Sequence, residues 1–151
     1  MLKICKDKWD KNQSKLLQNL MERTDLNKCY YKTLVELTFE SIMNEENDMN
    51  TYDISKITEI DDGDYQGTLI YLIPFAVYQP AEGEYLMTFI NYGSCSACDT
   101  LQGIQKWSND KLTECQLTDF MALCKDIITN TVKPYNSAWR NNEDYNQVEF
   151  E

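Results

Sequence analysis

Cys95-Ser96-Ala97-Cys98 places two thiols three residues apart, in a chain of 151 residues with six cysteines and no histidine. Thiols at this spacing can grip one zinc ion or close into a redox disulfide. Without histidine the usual general base, the proton shuttle of neutral pH and the imidazole metal ligand are all missing, and with them most hydrolase chemistry. No G-x-S-x-G, P-loop or dinucleotide glycine pattern occurs either. These residues point to a binding protein with a structural metal rather than to an enzyme. Zinc is the expected cofactor, with Cys95 and Cys98 as its first two ligands. A tetrahedral site needs two more, and Cys115 and Cys124 are the nearest candidates. The full pattern is then C-x2-C-x16-C-x8-C, whose first half is typical of zinc and whose second spacing is not. Asp99 or Asp119 could replace one thiolate. Other readings stay open. Cys124 falls on an apolar helical face, where a free cysteine is commonly a small core residue, and Cys5 and Cys29 read the same way. A thioredoxin-like site also follows a strand and opens a helix, with Cys95 as nucleophile and Cys98 as resolving thiol. Against it, a βαβ pattern is missing and two helices precede the strands.

Acidic side chains are the second group with chemical potential. Residues 1–35 carry eight basic and four acidic groups, a net of +4, whereas residues 36–151 carry six basic and twenty-one acidic groups, a net of −15. Lys56 is the single basic residue between Glu36 and Asp99. Such a field repels nucleic acid and steers the molecule toward basic surfaces, although acidity also serves plain solubility. Asp53, Glu59, Asp61, Asp62 and Asp64 fit no EF-hand frame and read as a solvated turn or a face offered to a basic partner. Glu82 and Glu84 join them as candidate contacts, with the tail acids Glu143 and Asp144 weaker. Tyr52, Tyr65 and Tyr78 are candidate aromatic anchors among these charges.

The elements that position these groups follow from periodicity. Trp9, Leu16, Leu17, Leu20 and Met21 predict an amphipathic helix over 7–22, and Thr24-Asp25 offers a cap for a second helix running to about Met43. Ile54–Ile60, Gln66–Phe75 and Glu84–Tyr92 read as strands. The turns between them, Asp61-Asp62-Gly63-Asp64 and Gln79-Pro80-Ala81-Glu82-Gly83, are short enough for an antiparallel meander. Asp99 can cap a short helix over Thr100–Trp107. Thr118-Asp119 begins a last helix with Phe120, Leu123, Cys124, Ile127 and Ile128 on one face. The expected fold is α+β in one domain. N-terminal helices (1–50) precede a three-stranded antiparallel sheet with the cysteine loop and a C-terminal helix packed on the sheet (51–140), and a mobile acidic tail follows (141–151). The longest apolar run, Leu69 to Ala76, contains Pro74 and falls well short of the roughly 20 residues of a membrane helix. The lysine-interleaved first 20 residues lack a signal-peptide core, so a cytoplasmic protein with reduced or metal-bound cysteines is expected.

Gly63-Asp64-Tyr65-Gln66-Gly67-Thr68-Leu69 and Tyr92-Gly93-Ser94-Cys95-Ser96-Ala97-Cys98-Asp99-Thr100-Leu101-Gln102 carry a resemblance. Over about half its length, from roughly Tyr52 to Ile128, the chain resembles a small family of phage and Gram-positive bacterial proteins. These share a G-D-Y-Q-G strand start and a Y-G-S-C-S-x-C-D loop. It is similar to phage-borne anti-CRISPR proteins that act on the single-effector, type II nuclease. The resemblance implies a stoichiometric inhibitor in the host cytoplasm, binding a basic effector protein and not nucleic acid or membrane. Of the candidate metal ligands it carries over Cys95 and Cys98 alone.

Overall fold

Lys3–Glu22 forms α1, whose Cys5, Trp9, Leu16 and Leu20 recur at helical spacing and are buried. The computed structural model describes residues 1–49, 51–105 and 111–133. The second helix does not start at Thr24-Asp25. The Asp25 carboxylate that would cap it is held by the Arg23 guanidinium at 2.6 and 2.8 Å, and a turn closes from Asp25 O to the Lys28 N–H. Helix α2 begins instead at Tyr31, runs to Thr38 and widens into a π turn over Phe39–Met43. The Asn44 N–H closes this turn on Phe39 O. α1 lies along the π turn, fixed by Asn12 Nδ2 donating to Ile42 O (2.9 Å) and Asn19 Nδ2 to Ser41 Oγ (2.8 Å).

Asn44 then ties the helices to the sheet, accepting from the Tyr52 N–H (2.7 Å) and donating to Tyr52 O (2.9 Å). Tyr52 is buried, stacked on Phe75 at 4.7 Å and edge-on to Phe39. Ile54–Lys56 is a 3-10 turn and not the start of a strand. Strands β1 (Thr58–Asp61), β2 (Gly67–Pro74) and β3 (Tyr85–Tyr92) form an antiparallel sheet in the order β1-β2-β3, the expected meander. Leu69, Tyr71 and Ile73 of β2 and Leu86, Thr88 and Ile90 of β3 are buried toward the helices. The pleat sends the alternate residues to the other face, where register aligns Ile60 with Ile70 and Ile70 with Phe89. That face stays open, with Ile60 46% and Phe89 38% exposed.

Helix α3 (Thr100–Ile104) is capped by Asp99, as expected, and ends before Trp107, which lies outside the described residues. Gln105 terminates it by extending the backbone and donating to Leu26 O and Cys29 O. Helix α4 (Glu114–Thr129) starts before Thr118. Thr113 caps the Gln116 N–H and Gln116 Oε1 accepts from the Thr113 N–H, a reciprocal box that fixes the onset. Phe120, Leu123, Cys124, Ile127 and Ile128 are buried as read from the sequence, and Thr88 Oγ1 donates to Ile127 O across the sheet–helix contact. The architecture is α+β, with N- and C-terminal helices and with α4 packed on β3 of the antiparallel sheet. Among the described residues no helix is long and apolar enough to cross a membrane. The proposed acidic tail, 141–151, lies outside the described residues.

Candidate functional site

After β3 the chain folds back at Gly93. A Cβ there would sit 2.4 Å from Cys98 O and 2.7 Å from Cys98 Sγ, so a side chain at this position would displace the loop. The Cys98 and Asp99 N–H groups both donate to Cys95 O. Asp99, 4% exposed, anchors the turn. Its carboxylate accepts from the Gly93 N–H (2.9 Å), the Gln102 N–H (2.9 Å) and the Tyr31 hydroxyl (3.1 Å), while Tyr31 Oη accepts from the Leu101 N–H (3.1 Å). Burial pushes the Tyr31 phenol up to about 12: Asp99 adds to this and the Leu101 N–H opposes it. The ring of bonds holds β3, the loop, α2 and α3 at one point.

Cys95 and Cys98 are exposed on this platform, their sulfurs 3.1 Å apart. The Cys95 N–H donates to Cys98 Sγ at 3.2 Å, and Ser94 Oγ lies 3.7 Å from it. Hydrogen bonding from the Cys95 thiol first, then from Ser94 and the Cys95 backbone, draws the Cys98 thiol down to about 7.

The other two expected ligands do not join them. Cys115 is exposed in the first turn of α4, and Cys124 is buried in the core with burial raising its thiol to about 12. Cys124 is therefore a core residue, and Cys5, raised by burial to about 12, is another. Cys29 is half-buried and raised to about 11, chiefly by burial. Asp99 already has both oxygens engaged, and Asp119 is exposed on α4. Among the described residues no group of three or more Cys, Asp or Glu side chains is placed to hold a metal. The set Cys95, Cys98, Cys115 and Cys124 does not fit a closed tetrahedral zinc site. Two of the four thiols meet, and a zinc ion at the loop would draw its remaining ligands from elsewhere.

The acidic candidates separate into engaged and open groups. Asp53 accepts from Ser55 Oγ (2.6 Å) and pairs with Lys56. Glu84 accepts from the Ala81 N–H, and the side chain of Glu82 lies outside the described residues. Glu59 accepts from Tyr71 Oη (2.7 Å), and Asp61 from Tyr92 Oη (2.6 Å) and the Gly63 N–H. The Asp61–Tyr92 bond holds the carboxyl below its usual range and lifts the phenol to about 12. Asp62 accepts from the Thr68 N–H, and Asp64 is exposed. Glu59 and Asp61 edge a groove of about 400 Å³ that also meets Lys28, Tyr30, Tyr92 and Gln102 beside the cysteine loop.

Of the aromatic anchors, Tyr65 and Tyr78 are 84% and 92% exposed, whereas Tyr52 is a core residue and cannot serve as one. The sequence reading missed Tyr31, the partner of Asp99, and the outward row of Ile60 and Phe89. Strand alternation was the one available signal for that row. No family model, curated protein or solved structure matches the chain.

Proposed function

We propose that the protein is a stoichiometric, non-enzymatic inhibitor that docks its acidic sheet edge on a basic, nucleic-acid-handling host protein in the cytoplasm. Its target is a type II RNA-guided nuclease, whose DNA loading it blocks. The open sheet face carries this reading. The apolar row Ile60–Ile70–Phe89 lies on the strands whose hairpin bears Asp62, Asp64 and the exposed Tyr65. An apolar centre with a charged rim is the usual anatomy of a protein interface, and the sign of this rim selects a basic occupant. β1 is also an edge strand with all four residues exposed, so its backbone can pair with a partner. The nuclease as target rests on the resemblance of the Tyr92–Asp99 loop to phage inhibitors. Such an enzyme holds its guide–target duplex in a positively charged channel, a surface that suits the net −15 of residues 36–151.

Co-elution of the protein with guide-loaded type II nucleases from several hosts tests the reading. A 1:1 complex that excludes target DNA is expected from at least one of them. No complex and undiminished cleavage at several-fold excess, across the panel, would refute it.

A further inference from the structure

We propose that Cys95 and Cys98 form a thiol–disulfide exchange site for low-molecular-weight disulfides, with Cys98 attacking and Cys95 resolving. This goes beyond the docking function and does not depend on it. The geometry assigns the roles in the reverse of the thioredoxin-like order. Cys98 Sγ receives the Cys95 N–H (3.2 Å), with the neighbouring sulfur at 3.1 Å and the Ser94 hydroxyl at 3.7 Å. A backbone N–H aimed at a sulfur favours its thiolate, the attacking form. No third ligand is placed among the described residues to claim the pair for a metal. Both thiols are exposed and free, and a disulfide needs sulfurs about 2.05 Å apart, an approach of roughly 1 Å from where they stand. Asp99 keeps the loop's base fixed while the sulfurs close.

Access sets the substrate class. Both sulfurs are exposed, so a small disulfide such as oxidised glutathione reaches them without entering the groove edged by Glu59 and Asp61, which neither loop cysteine lines. In the first step the Cys98 thiolate attacks one sulfur of R–S–S–R, forming Cys98–S–S–R and releasing RS⁻. The Cys95 thiol then gives its proton to solvent and attacks Cys98 Sγ, forming the Cys95–Cys98 disulfide and releasing the second RS⁻. The protein loses two electrons and the small disulfide gains them, ending as two thiols once protonated.

The experiment incubates the reduced protein, in a Cys115→Ser background to remove the other exposed thiol, with oxidised glutathione near pH 7. The reaction is quenched with an alkylating agent and the peptides are mapped by mass. Both thiols of the 92–99 segment should become protected together, while Cys5, Cys29 and Cys124 stay reduced. Adding Cys95→Ser should trap a glutathionyl group on Cys98. Adding Cys98→Ser should slow attack by roughly tenfold or more, because no backbone N–H is directed at the remaining loop thiol among the described hydrogen bonds. Mapping of the otherwise unaltered loop answers the question even where a loop variant folds poorly. Trapping on Cys95 before Cys98, or equal rates in the two variants, would overturn the assignment. Loop thiols inert to glutathione while the protein holds stoichiometric zinc would overturn the activity itself.

Discussion

Asp99 shows what one residue does for the site. In the sequence it is a helix cap and a possible substitute metal ligand; in the structure its two oxygens serve Gly93, Gln102 and Tyr31. Asp99→Ala would leave a buried phenol and a buried N–H without their acceptor. A loss of about 2–3 kcal/mol is expected in urea unfolding, with Asp99→Asn intermediate; a loss below about 0.5 kcal/mol would count against the anchor. Cys98 carries the pH dependence. Its thiol is drawn down from 9.0 to about 7, so its alkylation should be slow below that value, where it is protonated, and level off above it. A midpoint near 9 would contradict the hydrogen-bond account. The two thiols and the cap were legible because their spacing is local. Tyr31 was not, since it reaches Asp99 across 68 positions and nothing near it in the chain marks that partner.

The strands and the C-terminal helical face were legible at the scale of elements, because turn residues and a 3.6-residue period are written locally. Helix onsets were not. Thr24-Asp25 and Thr118-Asp119 are both sound caps by composition, yet Arg23 takes Asp25 and Thr113 with Gln116 opens α4 a turn earlier. Tertiary contacts choose between such signals, and Gln116 makes the choice at α4, reaching Asn27 Oδ1 and Ile104 O with its amide. Thr113→Ala should therefore cost about 1 kcal/mol, read from the urea midpoint, while Thr118→Ala, exposed inside the helix, should shift stability by no more than about 0.5 kcal/mol. Equal costs would mean that the cap is misplaced. The orientation of β1 was equally hidden. Glu59 and Asp61 turn toward the helix side because the hydroxyls of Tyr71 and Tyr92 receive them, and this leaves Ile60 outward.

Charge organises the whole molecule. The basic excess of residues 1–35 is partly answered within the fold, where Lys8 meets Asp48 (2.8 Å) and Glu45 (3.4 Å) and Lys11 meets Glu45 (3.2 Å). Lys8 is raised, the bonds to Asp48 and Glu45 outweighing the opposing effect of its burial. The acids of the β1–β2 hairpin have no such lysine partners among the described ion pairs, so their field reaches outward. Association with a basic partner should then slow as salt rises, since the Debye length shrinks from about 10 Å at 0.1 M to about 3 Å at 1 M. Stopped-flow rates that do not change with salt would contradict electrostatic steering. The docking face itself is tested most directly by DNA loading of a guide-bound type II nuclease in a gel shift. The unaltered protein is compared with Phe89→Ala and Asp64→Lys, two exposed positions whose replacement leaves the core intact. The account predicts that the unaltered protein blocks loading at equimolar ratio and that each variant needs roughly tenfold more, about 1.4 kcal/mol of lost binding. Blocking by both variants at the same ratio as the unaltered protein would contradict it.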